Sequence, residues 1–223
     1  PLFYVMILST NFFNPAGFPY NWKTILTNMF FIFNFFPGHG FQTSIVLAGW
    51  TIGVEVAFYA VFPFLYNRIK NIWSSISAIL ISIIISTIFL SILPCFVQDW
   101  QTYNMYSIFY RLPIFMFGVF SFFLLPIIQN NTYKKHIGTM LILLASVLFY
   151  SISFQRVPLI EPYYWTGIMF ACLVVGLGLN PIKWIVNNFT SWLGKISYSI
   201  YLIHSLVIVL LFPVYKKMQA MNF

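Results

Sequence analysis

The chain has 223 residues, of which 61% are hydrophobic and only 6% are charged, and its mean hydropathy is +0.88. A soluble domain carries about 25% charged residues, so this composition excludes an ordinary soluble fold. The formal net charge is +8, but the bases lie in short loops between apolar runs and form no basic patch. We therefore expect them to contact the anionic cytoplasmic face of a lipid bilayer, and we expect no nucleic-acid partner.

The chain begins with pieces that are too short to cross a bilayer, because a crossing takes about 20 mostly apolar residues. Residues 2–13 are apolar, and we interpret them as part of a longer helix that the Pro and Gly of residues 14–19 end. Residues 22–36 are apolar but are interrupted by Lys23, Asn28 and other polar side chains, which indicates an interfacial or re-entrant helix. The sequence thus predicts one partial span and one interfacial helix before the first complete span.

Complete spans follow, separated by charged or Pro-containing loops. The predicted spans are 48–67, 71–93, 108–128, 136–154, 163–180 and 195–213. The Ser, Thr and Gly residues inside them suit close helix packing in lipid. The predicted fold class is therefore all-α, a polytopic transmembrane helix bundle of about six complete spans, in a single domain over residues 1–223.

The basic residues give this bundle an orientation. They fall in every second loop, in three groups: Arg68 and Lys70; Lys134, Lys135 and His136; and Lys183 and Lys195. Loops rich in Lys and Arg stay on the cytoplasmic side, so these three loops are predicted to be cytoplasmic. The loops that hold Asp99 and the Arg156/Glu161 pair would then face outside.

Three ionisable side chains stand out inside the predicted spans, where a charge costs about 2.5–3.5 kcal/mol and is a functional candidate. Glu55 is either a hydrated or Arg-paired carboxyl near the outer interface, or a carboxylate that holds a substrate hydroxyl or a catalytic base. Arg111 either extends to the interface or shares a polar pocket with Glu55, which lies at similar depth on the same side. His204 is either a neutral ring bonded to a neighbouring helix or a group that lines a pocket and handles protons. No His or Cys spacing is typical of a metal site.

A resemblance to a known family comes first from residues 50–65, W-T-I-G-V-E-V-A-F-Y-A-V-F-P-F-L. This segment resembles the signature of the membrane acyltransferase-3 family, the bacterial O-acyltransferases that modify surface polysaccharides, which runs roughly W-S-L-x-V-E-x-x-F-Y-x-x-x-P-x-L. The matching residues are Trp50, Val54, Glu55, Phe58, Tyr59, Pro63 and Leu65. Thr51 and Ile52 replace the usual Ser and Leu, and Ala57 replaces a common Gln.

Two later segments carry the same resemblance. Residues 111–118, R-L-P-I-F-M-F-G, are similar to the family's R-L-P-x-F-x-x-G helix start. Residues 193–204, L-G-K-I-S-Y-S-I-Y-L-I-H, are similar to its L-G-x-x-S-Y-x-x-Y-L-x-H stretch, although Ser205 follows where the family often has Trp. Matches in the same order across most of the chain are far more specific than any single one.

The resemblance implies an acyltransferase of the bacterial cell membrane. It would move an acyl group, usually acetyl, from cytoplasmic acyl-CoA to a hydroxyl of a surface polysaccharide or another glycan, including a lipid-linked one. Acetyl-CoA would be a co-substrate, and no permanently bound cofactor is implied. The family's first helix carries an Arg and, further along, the His that is usually assigned the catalytic role. No residue here matches that motif, so we expect the chain to be truncated at both ends and inactive alone.

The resemblance also implies roles for residues that are present. Glu55 would orient the missing His or the acceptor hydroxyl, and Arg111 would offset developing charge or hold Glu55. The residues expected to bind substrate are Trp50, Tyr59, Ser197, Tyr201 and His204.

Two other classes of function stay open at this point. A transporter or flippase for a lipid-linked glycan would use the same Glu and Arg as a polar path, although the inverted repeats typical of transporters are not evident. A membrane scaffold would have no chemistry at all. Labelled acyl-CoA distinguishes the three classes, because only the enzyme consumes it in an acceptor-dependent way. The acceptor sugar and the oligomeric state are left open.

Overall fold

The computed structural model describes residues 22–36, 49–154 and 162–221, which are 86% helical and contain no strand. In chain order the elements are α1 (Trp22–Met29), a 3-10 helix (Phe33–Phe35), α2 (Gly49–Arg68), α3 (Ile72–Phe96), α4 (Trp100–Tyr106), α5 (Ile108–Gln129), α6 (Lys134–Ser153), α7 (Pro162–Leu179) and α8 (Asn188–Met221). The prediction of an all-α membrane bundle is confirmed. The predicted partial span 2–13 and the Arg156/Glu161 loop lie outside the described residues.

Four of the described helices, α2, α3, α5 and α6, are long and apolar enough to cross a membrane. They correspond to the first four predicted spans. The fifth prediction matches α7, whose apolar part, Tyr163–Leu179, is shorter and lies near the lower limit of about 17 residues for a span. The predicted ends of the sixth were wrong, since α8 extends on both sides of 195–213 and is 34 residues long.

The segment predicted to be interfacial forms two short helices. α1 has eight residues, which rise about 12 Å and cannot cross a bilayer. Two of its polar side chains are bound to its own backbone, with Thr27 Oγ1 and Asn28 Nδ2 donating to the carbonyl of Thr24 at 3.1 and 2.9 Å. Phe31 follows with a φ of 56°, a left-handed conformation that is rare for a bulky residue. This turn separates α1 from the 3-10 helix.

One element was not predicted. α4 comprises residues W-Q-T-Y-N-M-Y in what the sequence suggested was a loop. The segment is short and lacks an apolar run, so its sequence carries no signal of a membrane span. Its Tyr103 is 7% exposed, and burial raises the pKa of this phenol.

The chain divides into two compact units. The first comprises Pro1–Ala57 and Asn188–Phe223, and the second comprises Phe58–Asn187. The boundary falls within α2, so the first part of this helix belongs to the first unit and the rest to the second. That the whole chain forms one domain stays a prediction.

In the second unit, α7 packs against α5 and α6 through glycines. A Cβ placed on Gly138 would lie 3.0 Å from the carbonyl oxygen of Gly176, and one on Gly176 would lie 3.0 Å from the carbonyl oxygen of Gly138. A Cβ on Gly167 would lie 2.6 Å from the ring of Phe117 on α5. Small residues let helices approach closely in lipid, where packing drives their association.

α3 packs against α5, and it carries a row of buried serines, one of which bonds to α7. Ser75, Ser82 and Ser86 are almost completely buried, with 0, 2 and 0% exposure. The hydroxyl of Tyr164 on α7 donates to Ser86 Oγ at 3.1 Å, a bond between two helices. α3 begins with a capping box, in which Asn71 Oδ1 accepts from the backbone N–H of Ser74 and Ser74 Oγ accepts from that of Asn71.

Candidate active site

In the first unit, the signature helix α2 begins against the 3-10 helix. Asn34 Nδ2 donates to the carbonyl of Trp50 at 3.2 Å. A Cβ on Gly53 would lie 2.6 Å from Asn34 Nδ2 and 3.1 Å from the ring of Phe33, so only glycine fits here without displacing both. Among the described residues, the buried Oδ1 atom of Asn34 accepts no hydrogen bond, which leaves an open acceptor beside α2. Sequence reasoning missed Asn34, which it counted only as a polar residue arguing against a span.

A hydrogen bond joins two segments that the sequence singled out separately. The hydroxyls of Thr51 on α2 and Tyr201 on α8 contact each other, although they are 150 positions apart in the chain. Either hydroxyl can donate. Within the first unit, the structure therefore joins the start of the 50–65 segment to the 193–204 segment.

His204 lies one turn beyond Tyr201 on α8. Its Nδ1 contacts the carbonyl of Tyr201, and the two rings lie 5.2 Å apart. A carbonyl oxygen only accepts, so Nδ1 carries the proton and a neutral ring keeps Nε2 as its acceptor. The contact of Nδ1 is with the backbone of the same helix, and a bond from His204 to a neighbouring helix stays a prediction.

One face of α8 borders a shallow depression of about 490 Å³. Its lining includes Gly194, Ser197, Tyr201 and His204, which recur at the three- and four-residue spacing of one helix face. Ser197 is exposed, and its Oγ donates to the carbonyl of Gly194 at 2.8 Å. Three predicted substrate-binding residues thus share one open surface with room for a ligand.

Glu55 is exposed, one turn beyond Thr51 on α2. An exposed carboxylate can accept hydrogen bonds from a ligand. Trp50, which was predicted to bind substrate, is half-buried at the start of the same helix, and Tyr59 is 62% exposed one turn further along. Glu55 belongs to the first unit and Arg111 to the second, so their predicted pairing stays a prediction.

In the second unit, the guanidinium of Arg111 packs against two tyrosine rings. Ser107 caps α5 by accepting from the backbone N–H of Phe109 at 3.2 Å, so Arg111 lies in the first turns of this helix. The guanidinium carbon of Arg111 lies 4.0 Å from the ring centroid of Tyr163 on α7 and 5.5 Å from that of Tyr110. The two rings meet edge to face, with centroids 4.8 Å apart. Such contacts attract a cation and fix its direction.

Neither tyrosine was singled out from the sequence. Tyr163 is next to Tyr164 and Trp165 at the predicted outer end of a span, where aromatic residues are common as interface anchors. No local signal distinguishes a ring that contacts an arginine from one that contacts lipid headgroups.

Within the described residues, no three side chains among His, Cys, Asp and Glu lie close enough together to hold a metal ion. The candidate groups described above are hydroxyls, a carboxylate, an imidazole and a guanidinium.

Comparison with known proteins agrees with the local motifs. Residues 1–219 match the family described as "Acyltransferase domain", the acyltransferase-3 family. No curated protein and no solved structure matches the chain. The match covers nearly the whole sequence, including the segments on α2, α5 and α8 described above. The chain belongs to the acyltransferase-3 family of membrane acyltransferases.

Proposed function

We propose that the protein transfers an acyl group, in the simplest case acetyl, from acyl-CoA to a hydroxyl of a cell-surface polysaccharide or another glycan on the far side of a bacterial cell membrane. The observation that carries this proposal is the contact between Thr51 and Tyr201. It joins the first turn of α2 to the helix face of α8 that carries Ser197 and His204, and this supports a shared site.

Acyl transfer to a hydroxyl needs a group that takes the hydroxyl proton and a donor that stabilises the oxyanion. Glu55 accepts a hydrogen bond from the acceptor hydroxyl, or holds the base that deprotonates it. Arg111 supplies a positive charge, whose direction the ring of Tyr163 fixes. The remaining residues, Trp50, Tyr59, Ser197, Tyr201 and His204, line the path of the acyl group and the glycan.

The test is acceptor-dependent consumption of labelled acetyl-CoA by membranes that contain the complete protein. Replacing Glu55→Gln keeps the shape of the side chain but removes its charge, and we expect the rate to fall by about 10²- to 10⁴-fold. Asp99→Asn is the matched control, because Asp99 is also an exposed acid and lies outside the site. Its rate should stay close to that of the unaltered protein.

Two results would contradict different parts of the proposal, the role of Glu55 and the activity itself. Normal transfer by the Glu55→Gln protein would remove Glu55 from the mechanism but leave the activity standing. Movement of a lipid-linked glycan without any consumption of acetyl-CoA would instead identify a transporter.

A further inference from the structure

An apolar groove opens in the second unit between α3, the end of α2 and the first half of α5. Its volume is about 320 Å³, near the lower end of the range of about 300–1,000 Å³ for ligand pockets. We call it the inner groove, and its lining includes Leu65, Arg68, Ser77, Ser82, Ile85 and Met116. None of the residues proposed to act in acyl transfer lines it.

The hydroxyls of the inner groove are already occupied as donors. Ser74, Ser77 and Ser82 each donate to a backbone carbonyl of the preceding turn, at 2.7–3.1 Å. No side-chain hydroxyl hydrogen there is left for the carbonyl of a polar ligand. A sugar or the amide-bearing arm of CoA would lose hydrogen bonds on entering, whereas a hydrocarbon chain would lose none.

The length of the inner groove matches one leaflet of a bilayer. Ser74 lies near the start of α3 and Ile85 lies eleven residues further along it. At about 1.5 Å per residue this distance is about 16 Å along the helix axis. The hydrocarbon core is about 30 Å thick, so a chain that starts at the interface reaches the midplane after about 15 Å. The groove thus accommodates the depth of a single phospholipid chain.

The mouth of the inner groove carries a positive charge. Arg68 is exposed at the end of α2 and lines the groove. It lies at the end of α2 that the distribution of bases predicts to be cytoplasmic. Lys70 is close by in the chain, but its ammonium lies over the ring of Tyr66, 5.1 Å from the centroid, and does not line the groove. A guanidinium binds phosphate oxygens in a paired, directional way.

We propose that the inner groove binds one anionic phospholipid of the cytoplasmic leaflet, with an acyl chain between α2, α3 and α5 and its phosphate against Arg68. The surrounding solvent at this depth is lipid, so a hydrocarbon chain is always available to fill an apolar space. The charge of Arg68 selects which lipid fills it.

The test compares two lipids that share their chains and differ in charge. The complete protein is equilibrated with phosphatidylglycerol and phosphatidylcholine, and native mass spectrometry counts the lipids it retains. We expect retention to favour phosphatidylglycerol by about fivefold, the effect of one base near a membrane surface. Arg68→Gln should abolish this preference, and Lys70→Gln, the matched control, should keep it.

A second pair of variants tests the chain. Ala78 lines the groove, so Ala78→Phe should reduce retention of both lipids. Leu80, on the same helix, is 57% exposed and lies outside the groove, so Leu80→Phe should leave retention unchanged. The headgroup test uses Arg68→Gln, a change at an exposed residue. Its result therefore does not depend on whether the Ala78→Phe protein folds.

Three outcomes would overturn the proposal. The first is equal retention of the two lipids by the unaltered protein. The second is an equal effect of Arg68→Gln and Lys70→Gln. The third is displacement of phosphatidylglycerol by acetyl-CoA in the unaltered protein, which would assign the groove to the acyl donor.

Discussion

The contact between α6 and α7 allows a quantitative test of how this bundle is held together. Gly138 faces α7 so closely that a Cβ there would lie 2.9 Å from the Cβ of Asn180, 3.0 Å from the carbonyl oxygen of Gly176 and 3.0 Å from the Cβ of Leu179. All three atoms are fixed by the backbone of α7 and of the residue after it, so no side-chain rotation relieves the overlap. Gly138→Ala therefore requires the two helices to separate.

Two other glycines of the second unit provide a graded comparison. At Gly178 the nearest atom to an added Cβ is the end of the Leu125 side chain, 2.9 Å away, which can rotate. At Gly118 nothing lies within 4 Å. All three glycines are inside helices, so Ala gains about 1 kcal/mol of helix propensity at each, and this gain cancels in the comparison.

The remaining difference is the cost of overpacking, which is about 1–3 kcal/mol where the neighbours cannot move. We expect Gly138→Ala to be less stable than Gly118→Ala by that amount, a factor of about 5 to 150 in the unfolding equilibrium. Gly178→Ala should fall between them. The assay is reversible unfolding in mixed micelles with increasing SDS, followed by helical circular dichroism. Equal stability of the Gly138→Ala and Gly118→Ala proteins would refute the reasoning.

Three further predictions concern the site and its surroundings. Tyr163→Leu should lower kcat/KM for acyl transfer by about 2- to 30-fold, because Arg111 loses a contact of about 0.5–2 kcal/mol. Tyr163→Phe keeps the ring and should retain the rate, and loss in both variants would contradict a cation–π role. In a double-mutant cycle, Thr51→Val and Tyr201→Phe should couple by about 0.5–1.5 kcal/mol in unfolding free energy, whereas additive effects would mean that the hydroxyls do not bind. Burial raises the pKa of Tyr103 above its ordinary value of 10.0, so the unfolded chain loses this proton first. The contribution of Tyr103 to the free energy of unfolding should be fully present below about pH 10 and should be lost as the pH rises through the folded pKa. The unfolding midpoint of the Tyr103→Phe protein should not show this part of the decrease with pH.

The membrane helices could be predicted because the signal is local. A run of apolar residues long enough to cross lipid determines α2, α3, α5 and α6 almost by itself, and their predicted ends were within a few residues. α3 passes beyond the predicted end at residue 93 and includes Pro94, which a membrane helix tolerates because the freed backbone groups find other partners. α8 begins at Asn188 because residues 188–194, a mixture of polar and apolar side chains, continue the helix before the apolar run.

The site could be predicted in its parts but not in its assembly. The motifs identified Glu55, Tyr201 and His204, since each lies in a short recognisable segment. The bond between Thr51 and Tyr201 depends on how distant helices pack, and no spacing in the sequence encodes it. Gly53 occupies a position that the signature leaves unspecified, yet the close approach of Asn34 requires glycine there.

The short link between α2 and α3 bears on how the protein is made. Only residues 69–71 separate these helices, so they enter the bilayer as an antiparallel hairpin. The most apolar 18-residue stretch has a mean hydropathy of 1.3 in α2 and 2.7 in α3, and the Glu55 carboxylate is one reason for the lower value of α2. α2 is therefore the weaker span of this hairpin, and its insertion is favoured when α3 enters the bilayer together with it. A mutation that makes α3 more polar should then also lower the fraction of α2 that is inserted.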